Sequence, residues 1–238
     1  MAFIAKPDYF GLSTANATKD SLSLKSSSLN KSASVAEAKD DKGDVVAEEV
    51  FGEQASPSAT YELKDDLDLD DITLGAVTTV DSKPYVLSSV SFNTAPAGVP
   101  EIQCGGEQVE PGATTANSTT IELPEMTLKK WHDAQILGSA FTLSGTGSYL
   151  NGCNYSAKCD VTKATVDGTI VAHDVQNGRI EVQATIVQTG STAPTVTAAQ
   201  GWVVTSPLTT DNPDEDYPTW TVTLTKYLTS AHPSGGNS

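Results

Sequence analysis

The chain reads as all-β: an antiparallel β-sandwich or barrel-like domain with one short helix and a long irregular N-terminal arm. Three observations predict this. Of 238 residues, 38 % are hydrophobic and only 18 % charged, so the polar remainder is largely Thr, Ser, Asn and Gly. Thr and Val suit half-buried strands, whereas Gly and Asn suit turns. From residue 61 onward, short runs of alternating apolar and polar residues recur, with turn signals between them.

Residues 1–60 read differently. The stretch SLSLKSSSLNKSASVAEAKDDKGDVVAEEVFGEQASPSAT (21–60) scatters single hydrophobes among Ser, Ala, Lys and acids. That is too little apolar surface to offset the entropy of ordering, so a polar flexible arm is expected. Phe3, Ile4, Tyr9 and Phe10 form a sticky tip on it, suited to docking against a neighbouring subunit.

The domain proper is expected over 61–228. ITLGAVTTV (72–80) and YVLSSVSF (85–92) are strands parted by the turn DSKP, with Val86, Val90 and Phe92 on one face. IQC (102–104) and TTIEL (119–123) flank a loop. In LPEMTLKKWHDAQIL, Leu128, Trp131, Ala134 and Leu137 recur at three-residue steps, which predicts the short helix, with Gly138 beyond its end; a strand over Met126–Trp131 is the alternative. Asp167–Gly168 and Asn177–Gly178 are two-residue hairpin signals that predict a three-stranded meander. Val171, His173 and Val175 share one face of its second strand; Ile180, Val182, Ala184 and Ile186 line one face of its third. STAPTVTAAQ is a connector, TWTVTLTKYL a strand with a threonine row (Thr221, Thr223, Thr225), and 229–238 a disordered tail.

Chemistry-bearing patterns are few. DDLDLDD (65–71) fits a calcium loop at Asp66, Asp68 and Asp70, but puts Asp71 where glycine belongs and Val77 where the last glutamate belongs. Its alternation instead predicts buried Leu67 and Leu69 beneath solvated aspartates. The acidic loop DNPDED (211–216) reads the same way. The histidines are His132, His173 and His232; His173 and Asp174 are adjacent and so point to opposite faces of a strand. SGTGS (144–148) lacks the GK[ST] of a phosphate loop, and no GxSxG occurs. Trp131, Trp202 and Trp220 lie in apolar or alternating runs and read as core. Cys104, Cys153 and Cys159 show no metal or disulfide spacing and read as free thiols. No catalytic, cofactor-binding or metal-binding residue is expected, and no enzymatic activity.

The formal charge, 14 − 30 = −16, repels phosphate backbones and anionic membranes, and the one adjacent basic pair is Lys129–Lys130. The first twenty residues lack the apolar stretch of a secretory signal, which predicts synthesis in the cytoplasm. No run reaches the ~18 apolar residues of a membrane span. An arm with a sticky tip, a β-sandwich with one helix and an acidic surface together resemble virion structural proteins of tailed bacteriophages, particularly tail-tube and tail-completion proteins. The resemblance is one of architecture over residues 61–228 and transfers no site residue. It implies a homo-oligomeric ring or tube in the virion, contacts with other virion proteins, and an acidic lumen through which DNA slides without direct binding. A capsid-decoration or head–tail connector protein is an alternative of the same class. A β-sandwich adhesin or carbohydrate-binding module, using loops 93–118 and 206–218, is the competing class.

Overall fold

The computed structural model describes residues 6–94, 100–109, 120–124, 127–128, 140–166, 169–210, 212–213 and 216–228; of residues 49, 51, 52, 93 and 94 the backbone alone is described. The strands are β1 (Leu22–Lys39), β2 (Val45–Leu63), β3 (Leu67–Asp68), β4 (Thr73–Leu74), β5 (Val77–Val80), β6 (Lys83–Thr94), β7 (Glu101–Gln108), β8 (Ile121–Glu122), β9 (Thr127–Leu128), β10 (Phe141–Ser144), β11 (Ser148–Val166), β12 (Thr169–Gln188), β13 (Thr195–Ala198), β14 (Val203–Thr210) and β15 (Thr219–Leu228). A 3-10 turn, Leu69–Asp71, follows β3.

Nine strands build one antiparallel sheet in the order β1-β2-β7-β6-β11-β12-β15-β14, with β5 added beside β6. The pairs β3–β9, β4–β8 and β10–β13 are small separate sheets. Their Leu67, Leu74, Ile121, Leu128 and Phe141 join the same buried cluster as Ile102, Tyr155, Val182 and Leu224 of the large sheet. These short pieces therefore form a second layer over one face, and the all-β, sandwich-like architecture follows from burying that face.

Local patterns explain most of the strands. Ile180, Val182, Ala184 and Ile186 are fully buried, while Arg179, Glu181 and Gln183 are exposed, as their alternation requires. On β6, Val86, Val90 and Phe92 are buried, and so are Tyr85 and Leu87. The run 72–80 is split into β4 and β5 by Gly75, whose φ of 82° suits glycine. Thr195–Ala198, expected as connector, pairs with β10 instead.

The irregular arm expected over 1–60 is a correction. Residues 22–63 form a long antiparallel hairpin, β1–β2, and β2 runs straight through the expected domain boundary at residue 60. Asp40 closes the hairpin: its Oδ1 accepts from the backbone N–H of Lys42 and of Asp44, each at 2.9 Å, and Gly43 takes φ 87°. Nor is the segment before it a free tip. Tyr9, Phe10 and Leu12 are core residues, and the Tyr9 ring meets Tyr85 edge-on at 5.1 Å. The Asp8 carboxylate accepts from Gly11 N (2.9 Å), Ser13 N (2.9 Å), Ser13 Oγ (2.6 Å) and Tyr61 Oη (2.5 Å), fastening this segment to β2. Phe3 and Ile4 lie outside the described residues.

A second correction concerns Asn177–Gly178. These residues form no turn: β12 passes through them, and together they oppose Cys159 alone, between the pairs Lys158↔Arg179 and Asp160↔Gln176. This is a β-bulge with Asn177 at φ 53° and its Nδ2 donating to Asp160 Oδ2 at 2.9 Å. The extra residue switches parity, so that odd-numbered His173 and Val175 and even-numbered Ile180 to Ile186 are all buried. A second shift near Val171 turns that side chain outward, against the expected shared face. The Asp167–Gly168 turn and the helical run from residue 129 to 139 lie outside the described residues. Leu128, expected at the helix start, is in a strand.

Gly178 is required by space. A Cβ there would stand 2.6 Å from Ile121 Cδ1, 2.9 Å from its Cγ2 and 3.1 Å from Leu228 Cβ. Gly178→Val is expected to cost roughly 1–3 kcal/mol through overpacking, read as a lowered urea midpoint at unchanged slope. An unchanged midpoint would show that β8 yields freely.

Candidate assembly surface

The chemistry-bearing residues are dispersed. Leu67 and Leu69 are buried while Asp66, Asp68 and Asp70 are exposed, and Asp68 Oδ1 accepts from Thr127 Oγ1 at 2.6 Å. The aspartate run is thus a strand and a 3-10 turn anchored by leucines. In the 211–216 loop only Asn212, Pro213 and Asp216 are described, all exposed. Among the described residues no three His, Cys, Asp or Glu side chains cluster as a metal would need. His132, His232, Trp131 and the Lys129–Lys130 pair lie outside the described residues. Trp202 is buried, and half-buried Trp220 donates its Nε1–H to Gln188 Oε1 at 2.9 Å. SGTGS makes the tight turn before β11, with Gly147 O accepting from Thr189 N at 2.7 Å.

The three cysteines form no disulfide and are buried. Burial pushes Cys153 and Cys159 up to about 12 and raises Cys104 as well, so none is a thiolate at neutral pH. Burial also raises Tyr61, reinforced by its hydrogen bond to Asp8.

The surface offers edges and ribbons instead. The outer strands of the sheet are β1 and β14. Each neighbour along the path is antiparallel, and eight strands separate one edge from the other inclusively, so β1 and β14 run in opposite directions. β14 is exposed from Val203 to Pro207 and half-buried at Leu208 and Thr210, with Val203 and Val204 outward. It carries Pro207 and two register shifts against β15, features that limit indiscriminate edge pairing. The expected threonine row lies at its inner flank: Thr225 is buried and shares a 3.0 Å hydroxyl contact with Thr205.

β1 and β2 extend well past the sheet. β2 pairs with β7 only over Ser58–Glu62; beyond that, among the described strands, β1 and β2 have only each other. From Asn30 to Lys39 and back, every described side chain of this ribbon through Gln54 is exposed or half-exposed on both faces. Val35 and Val50 are cross-strand partners, each more than half exposed. At about 3.3 Å per residue the ribbon projects roughly 30 Å. Between its root and the β5–β6 turn lies a cleft of about 540 Å³, lined by Lys31, Glu53, Asp81 and Lys83 among others. Its charges are mixed and open to solvent, and it gathers no catalytic set.

No protein-family model matches the chain, and no curated protein matches it in sequence.

Proposed function

We propose that the chain is a non-enzymatic structural subunit of a phage-like virion, of tail-tube or tail-completion kind, that assembles edge to edge into a ring or tube. The observation that carries this reading is the ribbon. A two-stranded hairpin with neither face covered is marginal in water, so about ten residue pairs of it call for a surface to lie on. The free edges support the same reading. Because β1 and β14 run oppositely, placing β14 of one copy beside β1 of the next continues the antiparallel alternation. Such a contact is heterologous, and it closes into a ring when the rotation per copy divides a full turn. The charge of −16 suits a surface past which DNA moves without sticking.

The test replaces residues 33–53 by Asn-Gly between the paired Ser32 and Gln54, a two-residue hairpin turn. Full-length protein is expected to give rings or tubes by negative-stain microscopy. The shortened protein is expected to melt within a few degrees of it, since among the described residues no excised side chain belongs to the core, yet to remain unassembled. A full-length chain that sediments as a monomer at high concentration would refute the reading.

A further inference from the structure

β11 and β12 also continue beyond the sheet. β11 pairs with β6 only as far as Lys158, because β5 occupies the flank of β6 beyond that point. Residues 160–166 and 169–176 therefore form a second ribbon, paired with itself. Toward its root it differs in burial from the first ribbon: Val175 is 1 % exposed and His173 4 %.

His173 is chemically odd for so closed a position. Neither Nδ1 nor Nε2 has a hydrogen-bond partner among the described residues. Directly across the ladder stands Lys163. Its ammonium reaches over β6 to Glu107 of β7, Nζ to Oε2 at 2.5 Å, with the lysine side chain 13 % exposed. That ion pair ties the ribbon to the sheet. The other charge nearby is Asp174, on the opposite side of β12, whose carboxylate already accepts from Val175 N (2.9 Å) and Gln176 Nε2 (2.5 Å). An added imidazole proton thus finds a cation opposite it and no open acceptor.

We propose that His173 is a proton-operated release for this ribbon: protonation in mildly acidic solution repels Lys163, breaks its hold on Glu107 and frees residues 160–176 while the rest of the sheet stays paired. Burial, only partly offset by Asp174 and aided by Lys163, lowers the affinity of His173 for a proton. The sign follows by linkage. The neutral imidazole is favoured in the folded ribbon, so the stability it contributes is present above the ordinary value of roughly 6.5. It is lost as pH falls through that value toward the lowered one.

Hydrogen exchange on the full-length protein at pH 7.5 and pH 5.0, corrected for intrinsic rates, tests this. Protection of 160–176 is expected to fall by about tenfold at the lower pH, which is about 1.4 kcal/mol in the free energy of opening. Protection around 180–186 and 222–224 is expected to hold. His173→Phe removes the titrating group and is expected to abolish the selective loss. Equal loss in wild type and variant, or no selective loss in wild type, would overturn the proposal. Should the variant not fold, the ¹⁵N shifts of the wild-type His173 ring decide: a midpoint below the ordinary histidine value supports the release, and one at or above it refutes it.

Discussion

Deleting residues 1–60 is expected to leave a chain that does not fold. The deletion removes Tyr9, Phe10, Leu12, Leu22, Ala55 and Ala59 from the buried cluster. It also takes away all but the end of β2, uncovering the edge of β7, and it leaves the buried Tyr61 hydroxyl without the Asp8 carboxylate. Truncating one large buried side chain to alanine costs about 2–5 kcal/mol, and whole domains are stable by about 5–15 kcal/mol. Losing four large side chains together exceeds that margin. The measurement is a thermal scan with near-ultraviolet circular dichroism, in which the truncated chain should show no cooperative transition. A sharp transition would mean that 61–228 is self-sufficient. The contrast with the 33–53 excision separates two parts of one hairpin: its root belongs to the core, and its outer length does not.

That contrast also shows what the sequence could and could not disclose. The alternation in 180–186 names its buried face, because a strand between two partners with one covered side must repeat every second residue. Leu67 and Leu69 beneath their aspartates are readable for the same reason. The β1–β2 ribbon leaves no such trace. With both faces in solvent, it has no apolar period, and its composition matches that of a disordered segment. Its order comes from a ladder of backbone hydrogen bonds between residues 22 and 63, which is not a local property. The local hint was DDKGD, a turn signal centred between two stretches of similar length. Asn177–Gly178 shows a different ambiguity. A backbone that tolerates positive φ serves a tight turn or a bulge equally, and the choice falls to pairing on both sides of β12, including Gly178↔Leu228. The free edges depend on strand order, with β7 and β6 lying between β2 and β11, and no local pattern encodes that order.

Gly106→Ala is expected to destabilise the fold by about 3 kcal/mol, the upper range for overpacking a core. Gly106 sits on β7 opposite Leu87, and Phe10 of the N-terminal segment lies against it. An added Cβ would stand 2.3 Å from the Val86 carbonyl oxygen, 2.6 Å from Phe10 Cε1 and 3.1 Å from Phe10 Cζ. The two obstacles differ in kind. A phenyl ring can swing aside, but the carbonyl belongs to β6, and moving it disturbs a strand paired on both flanks. Combining Gly106→Ala with Phe10→Ala tells them apart. If the ring were the whole obstacle, the double variant would be no less stable than Phe10→Ala alone. The backbone contact predicts that most of the loss persists in the Phe10→Ala background, as read from chemical denaturation of all four members of the cycle. Full relief in the double variant would mean that the glycine is there to seat Phe10, and that β6 and β7 can separate without cost.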